Sequence, residues 1–510
     1  MADTISLTGF GIADPVPGNV VEVNFAAGGG STAAQGLSVL LLGSKSAAGS
    51  AVLDTVYGPD TLTQLISADT ADLLFGPGSE AARMCKMFYR ANPSTRCYAA
   101  AITPGESAIA AEADVVITGT ATANGSIRYS ITKADWLEIG FEDGETATTI
   151  GDRLEEAVNA KTDWPFTASN AAGTVTMTAK CLGPRGNQIR HIAQVLPITP
   201  TGITITPTSS TAFTGGLVND DVQTLLDSIV TRRFSYIVAA HADSSNITAI
   251  ATHIATLALP INGLRQRMIV ASVDTLAGAL AIAAAQNFSR EELVWFEECD
   301  QGTGVLAAQM AAIYTSGESV SPIQCSFDSY PLTDSQRGTW FLTAPLSEEM
   351  ATRSETSFAL DSGVTPIAVD DRGNAYLVRR ITTKFLVNAL PNYTARDAHK
   401  VSVPDRYADD LLFKLGTLFP QKVIQDDPPD NAPPARNAQV VYVRNIRAAV
   451  NELTTSYGPG NGLSLIGSVP QTIAETVVER STNASRVNVS VPLRVVDCLH
   501  QTASQINQVA

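Results

Sequence analysis

Basic residues, aromatic residues, cysteine and long apolar runs are all scarce in this 510-residue chain, and each shortage excludes something. Lys and Arg number 34 against 50 Asp and Glu, for a net charge of −16. Sequence-independent nucleic-acid binding needs cations to meet phosphates, so no direct nucleic-acid partner is expected. Aromatics make up only 6% of the residues, which leaves Ala, Val, Leu and Thr to carry the packing. The six cysteines are scattered, with no Cys-x-x-Cys, so they are read as reduced, buried hydrophobes. The most apolar helical stretch, Leu276 to Ala285, is about half of what a bilayer requires. No membrane insertion is expected. Met-Ala-Asp-Thr at the start shows neither a basic n-region nor an apolar h-region, and folding in a cytoplasm is the expectation.

Catalytic signatures are missing as well. There is no Gly-x-x-x-x-Gly-Lys-Ser/Thr, no His-Glu-x-x-His and no Gly-x-Ser-x-Gly. The five histidines are far apart in sequence. No catalytic residue, metal ligand or cofactor site is therefore assigned, and the chain is not expected to be an enzyme. One enzyme-like signal remains as an alternative. Gly302-Thr303-Gly304-Val305-Leu306-Ala307 is a Gly-x-Gly-x-x-Ala between a strand and a helix, the context of a dinucleotide fingerprint. Glu297, Glu298 and Asp300 just upstream would repel a pyrophosphate, so a loop-to-helix turn is the preferred reading. Gly183-Pro184-Arg185-Gly186-Asn187 is likewise read as a turn cluster rather than a phosphate cradle.

What is present is a layered pattern. Strand-like runs (Leu37 to Gly43, Arg96 to Ile102, Phe234 to Ala240, Met268 to Val273, Glu292 to Phe296) alternate with helical ones (Ser79 to Arg90, Asp220 to Val230, Ile247 to Ala258, Leu276 to Asn287, Val305 to Tyr314). This rhythm predicts an α/β multidomain protein. The expected organisation is an N-terminal arm (1–36), an α/β domain (37–104 and 216–344), an inserted β-rich domain (105–215), a C-terminal assembly domain (345–491) and a C-terminal arm (492–510). The arm holds one short apolar strand, Asn19 to Phe25 with Val20, Val21, Val23 and Phe25, ahead of a Gly28-Gly29-Gly30 joint. A lone strand outside a core must pair with something. Val487, Val489 and Val491 form a half-buried strand near the other end, followed by an apolar tail with Val495.

Ser347 to Val387 is the most informative stretch. Ser347 is positioned to cap a helix with Glu348 and Glu349 in its first turn, and Leu346, Met350 and Phe358 share one side. Gly363 and Pro366 stop that helix. A turn through Gly373 then leads into a long strand, Ala375 to Val387, so that Ile367 to Val387 reads as a hairpin. The block "GVTPIAVDDRGNAYLVRRITTK" resembles the most recognisable segment of contractile-tail sheath proteins. Val16-Pro17-Gly18 resembles that family's opening, and Thr174 to Ile189 resembles the inserted domain of sheaths from phages with Mu-like tails.

The resemblance implies a structural subunit that polymerises, in stacked hexameric rings, around an inner tail tube protein, with baseplate and tail terminator proteins as further partners. It implies a virion component assembled in the bacterial host cytoplasm. It also implies that terminal arms add strands to neighbouring subunits by β-augmentation. Val20, Val21, Val23, Phe25, Val487, Val489, Val491 and Val495 are the expected donors. The hairpin carrying Ile367, Gly373, Leu377, Arg379, Ile381 and Phe385 is the expected acceptor. Charge is unevenly placed: residues 365–510 hold 15 Lys and Arg against 13 Asp and Glu, and residues 1–364 hold 19 against 37. Ordinary solubility accounts for this, or else the two parts face different surroundings. On the second reading Arg379, Arg380, Lys384, Arg396, Lys400, Arg406, Lys414 and Lys422 are candidates to face the tube.

Overall fold

The computed structural model describes residues 36–498 apart from 62–63, 65–66, 134, 197–200, 324–329, 332, 335–338, 341–344, 347–349, 372, 374, 421, 430–438, 460–463 and 484. The expected donors Val20, Val21, Val23 and Phe25, the expected cap Ser347 with Glu348 and Glu349, and residues 499–510 lie outside the described residues.

The chain enters at β1 (Ser38–Gly43), whose Val39-Leu40-Leu41-Leu42 run is wholly buried, as suits a strand covered on both faces. After β2 (Val56–Tyr57) come α1 (Ala68–Phe75) and α2 (Glu80–Ala91). Each helix starts at a serine, Ser67 or Ser79, whose hydroxyl accepts the N–H three residues on. β3 (Arg96–Ala101) follows. The chain then forms β4 (Ala110–Gly119), β5 (Gly125–Thr132), β6 (Asp135–Phe141), α3 (Ala147–Ala160), β7 (Phe166–Ala171), β8 (Thr174–Leu182), β9 (Arg190–Leu196), β10 (Ile203–Thr206) and β11 (Thr211–Ala212). These strands make two antiparallel sheets, in the orders β10-β4-β8-β7 and β11-β9-β5-β6. Val115, Ile127, Tyr129, Leu154, Val175 and Phe213 belong to their shared core.

The layered pattern resumes with α4 (Gln223–Ser228), β12 (Tyr236–Ala239), α5 (Ser244–Leu257), β13 (Arg267–Ser272), α6 (Leu276–Gln286), β14 (Glu291–Trp295) and α7 (Gly302–Val320). β15 (Tyr330–Pro331) and a small ladder of β16 (Thr333–Asp334) and β17 (Thr339–Trp340) precede α8 (Arg353–Asp361), β18 (Thr365–Val369) and β19 (Ala375–Leu377). Nine strands form one sheet in the order β15-β19-β18-β14-β13-β12-β1-β3-β2. The run from β3 through β18 is parallel. Side chains alternate across it. Val39 and Leu41 join the layer of α1, α2 and α7, while Leu40 and Leu42 join that of α4, α5, α6 and α8.

The C-terminal part comprises β20 (Leu386–Val387), β21 (Leu390–Pro391), α9 (His399–Leu418), β22 (Val423–Gln425), β23 (Val440–Tyr442), α10 (Val443–Ser456), α11 (Val469–Glu475), β24 (Val477–Arg480) and β25 (Val487–Ser490). Its own core includes Tyr407, Leu411, Val450, Tyr457, Ile466 and Val478.

Two local expectations are corrected here. α8 is capped by Thr352, in a reciprocal capping box with Glu355, rather than at Ser347. Met350 and Phe358 are exposed, so the expected apolar side is not a core face. The long strand ends at Leu377, because Arg380 turns inward and leaves the ladder. Its Nε and Nη2 each lie 2.6 Å from a Glu292 carboxylate oxygen, and Nη1 lies 2.9 Å from Glu318. Nη2 also donates to Tyr236 Oη at 2.6 Å, and the guanidinium sits 4.0 Å from the Tyr314 ring centroid. Arg267 binds Glu318 as well, and Ser402 of α9 donates to it. Arg290 forks onto Asp405 of the same helix. These groups tie the amino ends of β12, β13 and β14 to α7 and α9.

Beside them stands Glu291, fully buried, with both carboxylate oxygens outside any hydrogen bond. Burial pushes its carboxyl up to about 8, opposed only by Thr383. A folded value above the unfolded one means that this group's contribution is full below the unfolded value and is lost as pH rises through about 8. Glu291→Gln is therefore expected to raise stability at pH 8 by on the order of 3 kcal/mol relative to wild type, and to be near neutral at pH 4. Urea midpoints at the two pH values check this; equal differences at both would refute it.

Candidate functional site

In spatial order the parallel strands β3, β1, β12, β13 and β14 run second, first, third, fourth, fifth along the chain. The order reverses between β1 and β12. In doubly wound sheets that reversal opens a crevice at the carboxyl ends of the strands, the usual place for a ligand. Here a side chain fills it. Arg185, from the 3-10 turn Pro184–Gln188 between β8 and β9, reaches across from the β-rich region. Its Nε is 3.0 Å from both Glu80 carboxylate oxygens. Nη1 and Nη2 lie 2.6 and 2.8 Å from the two Asp220 oxygens, and Nη2 also donates to Ser44 Oγ. His241, fully buried at the end of β12, approaches Asp220 Oδ1 at 3.0 Å. Although desolvation opposes it, the pull of Arg185 and His241 holds the Asp220 carboxyl far below the ordinary carboxylate range. Ser44 bonds Asp220 rather than His241, so the three side chains lack the nucleophile-to-base contact of a hydrolase.

The expected turn cluster at Gly183 to Asn187 is thus a turn whose arginine pins two regions together. Sequence reasoning had no signal for the partners, which lie 35 and 105 positions away. The same contact face carries Lys86 with Asp163 and Arg190 with Glu298.

The alternative at Gly302 to Ala307 is a packed helix start. Gln188 Oε1 accepts both the N–H and the hydroxyl of Thr303, at 3.0 and 3.1 Å. A Cβ on Gly304 would meet Ala240 Cβ at 2.8 Å and Met84 Sδ at 3.0 Å. The glycine serves the close approach of α7 to the sheet, and the helix terminus is already occupied. Among the described residues no group of three or more His, Cys, Asp or Glu side chains could hold a metal ion, and no helix is long and apolar enough to cross a membrane.

The assembly residues fall differently from expectation. Ile367, Leu377 and Ile381 are buried, and Phe385 packs over Gly363. Gly373 takes the turn with φ +81°. The hairpin is not an open edge: β18 lies between β14 and β19, and β19 pairs with β15 on its far side. Val487 and Val489 pair with β24 of their own chain, Val491 packs on the C-terminal core, and Val495 bridges Ile466. Among the tube-facing candidates, Arg380 is 1% and Arg406 8% exposed, so neither projects from the surface toward a tube. Carboxylates from distant elements draw Arg380 inward. Arg379 pairs with Asp397, Lys400 with Asp497 and Lys414 with Glu452. Arg396 lies over the Tyr393 ring, Lys384 is half-buried, and Lys422 is exposed. Among the described residues the C-terminal part instead offers three two-stranded ladders, antiparallel β20–β21, parallel β22–β23 and antiparallel β24–β25.

Over 286 residues the chain is 25% identical to the Mu-like prophage FluMu tail sheath protein of Haemophilus influenzae, a stretch covering 56% of this chain and 57% of that protein. It therefore spans a little over half the length of the curated relative it matches. No family model matches the chain. A sheath tail protein of Listeria innocua superposes with a TM-score of 0.45 at 14% identity, over 92% of this chain and 94% of that one. For the anti-feeding prophage helical sheath in its contracted state the TM-score is 0.46 at 10% identity, over 97% and 100%. Superpositions this loose decide nothing about the chain. The sequence match makes it similar to a tail sheath protein.

Arg185→Ala would leave buried Asp220 with His241 alone and half-buried Glu80 without its guanidinium, at a cost of about 3 kcal/mol. Thermal denaturation and early proteolysis within 105–215 are the expected readouts. An unchanged melting temperature would show that the other contacts of that face suffice.

Proposed function

We propose that this chain is the structural subunit of a contractile tail sheath. It polymerises helically around an inner tube, as stacked hexameric rings, and contracts from a metastable extended state to drive the tube through a target cell envelope. The observation that carries this reading is the match to a Mu-like tail sheath protein, which agrees with the motifs at 16–18, 174–189 and 363–384. Its partners are further copies of itself, the tube protein, and baseplate and terminator proteins. It is placed in a virion tail built in a bacterial cytoplasm.

Strand exchange supplies the linkage. Since the 367–387 hairpin has both neighbours already, the acceptor assigned here is the β24–β25 ladder. A two-stranded ladder is marginal by itself, and added strands would extend it through main-chain hydrogen bonds. The donors are Asn19 to Phe25 and the residues after 498. Rigid-body movement of whole subunits, with the exchanged strands as tethers, accounts for contraction without nucleotide hydrolysis. Of the proposed tube contacts, Lys422 and Lys414 remain.

Negative-stain electron microscopy of the concentrated full chain tests the reading: hollow regular tubes are expected, and closed small oligomers would refute it. Deleting residues 1–25 should leave a folded protein that forms no tubes; tubes from that variant would remove the arm from the linkage. Joint charge reversal at Lys414 and Lys422 should weaken co-assembly with the tube protein, more at low salt than at high.

A further inference from the structure

Charges do not balance at the amino ends of the parallel strands. Six arginines converge there. Arg290 is taken by Asp405, and Arg233 and Arg265 share Asp409. Arg267 and Arg380 share Glu318, with Glu292 as the second acid for Arg380. Arg406 is left over. It is 8% exposed, its Nε is buried with no hydrogen-bond partner, and it enters no ion pair among the described residues. The carboxylates that act on it are engaged elsewhere: Asp410 accepts from Tyr457 Oη, and Glu318 holds the two other guanidiniums. A guanidinium does not give up its proton to relieve burial, and an unpaired buried charge is costly.

Arg406 lines a cleft open to solvent with Arg233, Arg265 and Arg267, and the two carboxylates in that lining, Glu318 and Asp405, are already held by Arg267, Arg380 and Arg290; Leu37 lines it too. We propose that this cleft is an anion site, which takes a carboxylate or a tetrahedral oxyanion against the free fork of Arg406. A planar fork of N–H donors suits both shapes. In a chain of net charge −16, four arginines against two carboxylates in one lining make a local positive excess that favours a small anion. The lining names a second source of the same chemistry. Leu37 is where residues 1–36 join the sheet, and those residues carry Asp3, Asp14 and Glu22. The occupant is thus a free small anion or a carboxylate of this segment, from the same chain or a second copy. The inference rests on the cleft alone and stands or falls apart from the sheath reading.

Isothermal titration of the full chain with inorganic phosphate tests it in two arms, wild type and a variant with Asp3→Asn, Asp14→Asn and Glu22→Gln. Binding to wild type identifies a free-anion site; binding only to the variant identifies the segment's carboxylate as occupant. In either arm Arg406→Gln should weaken phosphate at least tenfold, and Arg406→Lys should weaken it less. No phosphate binding in either arm, or binding that survives Arg406→Gln, overturns the proposal. Should Arg406→Gln fail to fold, hydrogen exchange in the binding arm decides instead. Phosphate is expected to protect amides around Arg406 in α9, and their unchanged exchange would equally overturn the site.

Discussion

Arg380 is the constraint on which the joined parts depend. Its guanidinium makes four hydrogen bonds, to two glutamates and a tyrosine from β14, α7 and β12, and Glu318 passes the connection on to Arg267 and to Ser402 of α9. Desolvating such ions is expensive, and apolar replacements of the whole set often fold as well. The arrangement is therefore better understood as fixing geometry than as supplying stability. Arg380 reaches these partners once the strand leaves its ladder after Leu377 and α7 extends to Glu318, and Ser402 on Glu318 then fixes where α9 crosses the amino ends of the sheet. The cluster thereby fixes α9, whose Tyr407 and Leu411 belong to the C-terminal core, against β12, β14 and α7, which share the core of the sheet.

The opposite end of the sheet is closed by the same chemistry for a different purpose. A doubly wound sheet leaves an opening where its strand order reverses, and in this chain Arg185 occupies it, held by Glu80 and Asp220. A scaffold that ordinarily hosts a small molecule instead hosts a piece of its own polypeptide. The glycines of α7 point the same way: Gly304 lets the helix approach Ala240 and Met84, where a nucleotide-binding loop would need room.

Much of this was legible beforehand. The strands and helices of the layered region stand within a few residues of where the apolar periodicity placed them, because each is buried on a face that its own local pattern reveals. β7 and β9, broken by Asn170 and by Arg190 and Gln194, carry no such pattern, and β10, Ile203-Thr204-Ile205-Thr206, alternates but is only four residues long. The largest departures share one cause. Arg380 and Arg185 look like solvent-facing cations in a local window, and only partners scores of positions away make them buried. The hairpin around Gly373 was recognised as a turn, but its neighbours β14 and β15 come from distant segments, so its place inside a sheet was not readable. Likewise Thr352 outcompetes Ser347 as a cap because Glu355 completes the reciprocal bond.

The two arginine clusters also define how load would travel. Arg185 fastens the β-rich region to the carboxyl ends of the strands, while Arg267 and Arg290 grip α9 at the amino ends. Opposed tugs on those two attachments run along the strand axes. The ladders between β1, β12, β13 and β14 would then be strained in shear, with many hydrogen bonds resisting together, instead of being peeled apart one by one. A close-packed interior between the attachments passes strain on with little give, so the sheet behaves as a stiff strut.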